Sequence, residues 1–202
     1  MQQLVIVLIF IFGACVGSFL NVVILRLPQG LKLTGRSACP QCKNILGFWD
    51  LFPIFSFIFL QGKCRYCQKK ISWRYPLIEI VTGLLFVLVW QFTNPVLPQD
   101  FLNLFRNLLV VSSLVIIFVI DLEHYLILDT VVFPVLVVVL ILNGIQDLIS
   151  LQPLFGWQSH FFGSLLGAGI AALPFFIIWF FSHGQWMGFG DVKFAPSRLP
   201  KK

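Results

Sequence analysis

LVIVLIFIFGACVGSFLNVVIL, residues 4–25, runs for 22 positions without a charged side chain. Coiled as a helix, a run of about 20 apolar residues crosses roughly 30 Å of hydrocarbon. Met1, Gln2 and Gln3 place no Lys or Arg ahead of it, and it continues beyond the length of a signal core. It therefore reads as a retained span rather than a cleaved signal, although Cys15 after Gly13 and Ala14 faintly resembles a lipoprotein cleavage site. Cys15 itself is read as a small apolar packing residue. Comparable runs follow at about 76–93, 101–120, 126–146 and 161–182, giving five candidate membrane helices. Leu46 to Leu60 is also apolar, but it is shorter and is broken by Asp50 and Pro53. It reads as interfacial or re-entrant.

Composition agrees with the spans. The 202 residues are 58% hydrophobic and 11% charged, with 23 phenylalanines. Mean hydropathy is +0.93. Such a chain leaves too little polar surface for a water-facing domain, so the expected class is an all-α polytopic membrane protein of about five transmembrane helices.

The basic residues orient it. Nine of the 14 Lys and Arg (Arg26, Lys32, Arg36, Lys43, Lys63, Arg65, Lys69, Lys70 and Arg74) fall between the first two spans. The positive-inside rule then makes that loop cytoplasmic and the N-terminus external. Counting spans from there brings Lys193, Arg198, Lys201 and Lys202 to the cytoplasmic face as well. The expected location is a cytoplasmic membrane, crossed several times. A net charge of +6 suits anionic lipid head groups and asks for no nucleic acid.

Within the basic loop stand CPQC (39–42) and CRYC (64–67), separated by 21 residues. Two CxxC knuckles place Cys39, Cys42, Cys64 and Cys67 as a tetrahedral set for structural Zn2+. Disulfides or an iron–sulfur cluster are the rival readings, and free thiols the plainest; a reducing compartment disfavours disulfides. Four protein ligands leave no open position, so the expected metal is structural.

Acids are scarce, and two stand where apolar sequence gives way to charge: Asp121 in VIDLEHYLILD and Asp191 in MGFGDVK. Intramembrane and membrane-border acids are costly and usually functional. A pair of carboxylates a few ångströms apart shares one proton, which supplies both the base that activates water and the acid that protonates a leaving amine. Gly188 and Gly190 would allow a substrate backbone to approach Asp191. The plainer reading, equally weighted on spacing alone, is that both aspartates simply end helices at the interface.

In order along the chain, GACVGSFLNVVILRLP (13–28), the two CxxC pairs, RYPLIEIVTG (74–83), IDLEHYLILD (120–129) and GFGDVK (188–193) resemble the type IV prepilin peptidases. These are GxGD-type membrane aspartic proteases, and the likeness covers about residues 13–194. The resemblance implies cleavage of the short basic leader from prepilins or pseudopilins, after Gly and before a residue that is often Phe. It also implies N-methylation of the new terminus from S-adenosylmethionine. Asp121 matches the first catalytic aspartate, Asp191 that of GxGD, and the four cysteines a zinc loop. Glu79 matches a family glutamate and is a candidate for supporting the site or methyl transfer. Snorkelling toward Arg74, or a plain interface location near the start of the span, is the alternative for that carboxylate. Asn21 is expected to hydrogen-bond between helices and Arg26 to set orientation. Asp129 follows Leu128 where the family commonly has proline, and reads as the N-cap of the fourth span. His124, His160 and His183 are too scattered to form a ligand set.

The expected organisation is an N-terminal part over residues 1–93 carrying the loop, a peptidase part over 94–194, and an atypical tail over 195–202. The family has further spans after GxGD, whereas here APSRLPKK follows with Pro196 and Pro200, so the chain reads as C-terminally truncated. Expected partners are prepilin or pseudopilin substrates and membrane lipid. Two other readings remain: an inactive membrane fragment or adaptor of the pilus or secretion machinery, and a small transporter whose acids bind cations. Clustering of the acids at one face argues against the transporter.

Overall fold

Apolar helix dominates, as the runs require, because a backbone in lipid must satisfy its own hydrogen bonds. The computed structural model describes residues 2–125, 129–151 and 159–170. Helices are α1 (Gln2–Arg26), α2 (Phe55–Phe59), α3 (Arg74–Thr93), α4 (Pro98–His124) and α5 (Asp129–Ile149), with a 3₁₀ turn over Phe48–Leu51. A shorter apolar helix, α6, covers His160–Ile170. Among the described residues four helices are long and apolar enough to cross a membrane, within α1, α3, α4 and α5. The chain is an all-α polytopic membrane protein. Of the fifth expected span, 161–182, only the part within α6 lies among the described residues.

The polypeptide divides into two compact units, residues 1–124 and 125–202. In the first, α1 and α3 form the central pair and α4 packs against both. Glycine makes that pairing possible. A Cβ on Gly13 would stand 2.8 Å from the Gly83 Cα, and one on Gly17 2.8 Å from the Glu79 Cα. Gly13 and Gly17 are one turn apart on one face of α1, the spacing that lets helix backbones touch in lipid. Around them Ile24, Thr82 and Phe86 are almost wholly buried. A side chain at Gly17 would meet backbone, which does not yield as a flexible side chain does. Gly17→Leu is therefore expected to cost about 3 kcal/mol, read as a lower thermal midpoint in detergent. Phe19→Ala, on the exposed side of α1, is the control, and an equal drop in both would discount the close contact.

The run 46–60 does not span. It forms the 3₁₀ turn and the one-and-a-half-turn α2 on either side of Pro53. Phe48, Trp49, Phe59 and Trp73 are left exposed, as suits aromatic side chains at a head-group interface. Some boundaries differ from expectation, with α4 opening at Pro98 and α5 running to Ile149. The apolar run ends at Ile120, but α4 continues through Asp121 to His124.

In the second unit, Asp147 of α5 is fully buried. It accepts hydrogen bonds from the Ser159 hydroxyl at 2.7 Å and from the His160 and Phe161 N–H groups at 2.9 Å. Ser159 in turn accepts the Phe162 N–H at 3.0 Å. Together they satisfy the otherwise orphaned first donors of α6. Asp129, read as an N-cap, is itself helical in the first described turn of α5, where an acid complements the helix dipole.

Candidate functional site

The two cysteine knuckles are built alike. In the first, the Cys39 N–H donates to Asn44 O and the Lys43 N–H to Cys39 O, both at 2.9 Å; in the second, the Cys64 N–H donates to Lys69 O and the Gln68 N–H to Cys64 O, also at 2.9 Å. The residue after each second cysteine, Lys43 or Gln68, takes a positive φ, 60° and 56° respectively. Each turn is closed by one bridge, Ala38 with Ile45 and Lys63 with Lys70. The likeness brings all four Sγ atoms within 4.8 Å of one another.

Cys39 and Cys67 Sγ are 3.9 Å apart. Four sulfurs about 2.3 Å from a tetrahedral cation stand roughly 3.8 Å from one another, so the set fits a thiophilic metal. All four cysteines are free, and 3.9 Å is well beyond a disulfide bond. Burial pushes the Cys39 thiol up, but the Cys42 and Gln41 N–H groups and neighbouring thiols outweigh it and bring it down to about 7. For Cys42 the Asn44 backbone lowers the value, while burial and the other three thiols carry it up to about 11. One sulfur is thus readied as an anion by its neighbours, the charge a bound cation would extend to all four.

Charged side chains fasten this loop. Arg26, at the end of α1, donates to the carbonyls of Lys32, Leu33, Thr34 and Arg36 at 3.1–3.3 Å. Beyond any effect on orientation, it shapes the approach to the first knuckle. Asp50 accepts from Arg65 Nε, inside the second knuckle, at 2.7 Å.

Glu79 lies in the second turn of α3 and is 8% exposed. Its Oε2 accepts the Ile54 N–H at 2.8 Å. Ile54 adopts φ 62° and ψ −52°, and the Phe55 N–H donates back to Pro53 O. A β-branched residue in this tight turn carries strain of about 1–3 kcal/mol, and the bond to Glu79 helps hold it. Glu79 thus bonds the Ile54 backbone rather than snorkelling toward Arg74, whose Nη1 is engaged elsewhere while its Nε and Nη2 are buried without a partner. Its Nη1 donates to both Glu123 oxygens, at 2.8 and 2.7 Å. Arg74 opens α3 and Glu123 closes α4, so each charge opposes its own helix dipole and complements that of its neighbour. This pair accounts for the extra turn of α4.

Asn21 does bond between helices, Nδ2 donating to Tyr75 O at 3.1 Å. Its Oδ1 is buried without a partner. Asn21, Glu79 and the loop enclose a cavity of about 170 Å³. Asp121 stands exposed in the last turn of α4, two residues before Glu123. Asp191 lies outside the described residues, as does His183, so no distance relates the two aspartates. Asp147 escaped the sequence reading because its partners lie 12–14 positions ahead; the Ser-His at 159–160 opening an apolar run was the available cue. The Gly13/Gly17 spacing was legible, but its partner Gly83 was not.

Residues 11–92 match the family model of the Bacterial Peptidase A24 N-terminal domain, and residues 108–197 that of the Type IV leader peptidase family. The prepilin leader peptidase/N-methyltransferase of Myxococcus xanthus is 34% identical over 193 residues, covering 92% of this chain and 52% of that protein. That of Klebsiella pneumoniae is 33% identical over 196 residues, covering 92% and 79%. For Bacillus subtilis the identity is 33% over 187 residues, covering 92% and 69%. The chain thus spans about half the length of the Myxococcus relative and a larger part of the other two. No solved structure matches it. With both halves matched in the family's order, the chain belongs to the type IV leader peptidase family.

Proposed function

We propose that this polypeptide is a prepilin leader peptidase acting at the cytoplasmic membrane face, with Asp121 and Asp191 as its catalytic pair. The observation that carries the reading is the ordered family match together with an acid, Asp121, exposed at the end of an apolar helix. In this reading one carboxylate takes a proton from water as it attacks the scissile carbonyl. The other, protonated, donates to the carbonyl oxygen, and the pair then returns a proton to the leaving amine. The basic loop supports the cytoplasmic orientation. Residues 1–93 would serve as the loop-bearing part and 94–194 as the peptidase part.

Zn2+ is the metal proposed for Cys39, Cys42, Cys64 and Cys67, in a structural role. Bound there, it would cross-link the two knuckles, and the cysteines leave it no site for substrate. S-adenosylmethionine would supply a methyl group to the new N-terminus. Glu79 is proposed to support the acceptor side.

Membranes carrying this chain are expected to remove the leader from a prepilin with a basic leader, seen as a single new mass corresponding to cleavage after glycine. An intact prepilin after prolonged incubation with folded, membrane-inserted chain would refute the reading.

A further inference from the structure

The last turn of α4 carries Asp121, yet its own sequence favours that turn little. Asp121 and Glu123 are acids at a helix C-terminus, where the dipole opposes negative charge. His124, 4.0 Å from Glu123, offsets this only when protonated. Tyr125, directly after the helix, adopts φ 54°, a conformation that side chains bulkier than glycine resist. The apolar run that drives α4 into lipid has already ended at Ile120. A helix end of this kind frays unless something outside the helix holds it.

Arg74 supplies that hold. Its Nη1 bonds both Glu123 oxygens, while Nε and Nη2 are enclosed without a partner and the guanidinium stands 5.5 Å over the Tyr75 ring. Among the described residues, Glu123 is the acceptor that its side chain meets. Arg74 is itself set from both sides. Before it, the Trp73 ring lies 4.7 Å from that of Phe57 in α2, and the Ile71 N–H donates to Gly62 O at 2.7 Å. After it, Tyr75 O accepts from Asn21 of α1. Local preference alone would reverse the two charges, with an acid opening α3 and a base closing α4. The pair as it stands serves the joint between the helices rather than either helix by itself. Glu123 is two residues beyond Asp121, about 200° around the helix. Arg74 therefore grips the turn from the side away from Asp121 and leaves that carboxylate free.

We propose that Arg74 is a positioning residue for Asp121: through Glu123 it fixes the last turn of α4 against the start of α3, and with it the place of the Asp121 carboxylate. The chemistry of this role rests on the peptidase reading; its geometry rests on the ion pair alone. In this role Arg74 touches neither substrate nor the reacting water, so its loss acts on the chemical step more than on substrate binding. A misplacement of about 1 Å costs on the order of a hundredfold in rate. A turn still tied to its own helix shifts by less, so about tenfold is expected.

The test joins hydrogen exchange to single-turnover prepilin cleavage, both on the full chain. Arg74→Ala and Glu123→Ala should each speed amide exchange over residues 119–125 by about fivefold, the size of a partly exposed ion pair. Each should lower the maximal cleavage rate about tenfold and leave the substrate concentration at half-maximal rate within about threefold of the parent. Arg74→Glu, which sets two acids against each other, should be at least as slow. Joined to Glu123→Arg it restores a pair whose charges now also suit their own helices, and should return both the rate and the exchange to within about threefold of the parent. A merely structural role predicts a lower thermal midpoint with an unchanged rate per folded molecule. That result would overturn the proposal, as would an exchanged pair no faster than Arg74→Glu, or exchange over 119–125 unmoved in both alanine variants. If the parent cleaves no prepilin, the peptidase reading falls, and the exchange rates alone decide whether Arg74 holds the turn that carries Asp121.

Discussion

Asp121→Ala is expected to lower prepilin cleavage by about a thousandfold, within the range for loss of a general acid or base. The carboxylate is exposed on the last turn of α4, so stability should stay within about 0.5 kcal/mol of the parent. Asp121→Asn, which keeps the shape but cannot carry the proton, should be as inactive as the alanine. If Asp191 is its partner, Asp191→Ala alone and the double variant should sit at the same residual rate, because residues acting as one unit are not additive. The measurement is single-turnover cleavage in membranes at matched protein levels. A double variant clearly slower than both single ones would separate the two acids, and activity within threefold of the parent in Asp121→Ala would remove it from the mechanism.

The second large effect concerns the cysteines. Purified chain is expected to carry one zinc per polypeptide, and Cys64→Ser or a strong chelator should release it. Structural zinc sites bind with about 10–16 kcal/mol at neutral pH, most of it expressed as folding of the module. Cys64 is 2% exposed and Cys39 4%, so metal loss should turn two slow thiols into fast ones toward a maleimide. The same change should free the Ile54 N–H from Glu79, visible as faster amide exchange. Helix content should barely change, since α1 and α3 are held by their own contact at Gly13, Gly17 and Gly83. Absence of zinc from folded protein with all four thiols reduced would refute the metal assignment.

Parts of this architecture were open to reading because the physics is local. A membrane span announces itself by length, and α1 and α3 differ from the apolar runs by only a few residues. CxxC fixes two thiols within one turn, so the knuckles follow from spacing, and Pro53 with Asp50 already broke the 46–60 run. What remained hidden was set at a distance. The last turn of α4 is polar and survives through Arg74, 49 positions away. Glu79 meets a backbone donor 25 positions away, in a turn no residue preference would foretell. The close approach of Gly13 to Gly83 needed the partner helix. Asp191 falls outside the described residues, so the proposed pairing of the aspartates rests on sequence likeness.

The cysteine loop is also the tether between the two helices that touch most closely. Chain synthesis delivers α1 first, and its glycine face has no counterpart until the whole loop and then α3 have followed. The entropy lost when they meet grows with the slack between them. Each bridge that ties Ala38 to Ile45 or Lys63 to Lys70, and each sulfur drawn to the common centre, takes up some of that slack. A module outside the spans therefore raises the effective concentration of one membrane helix at the other.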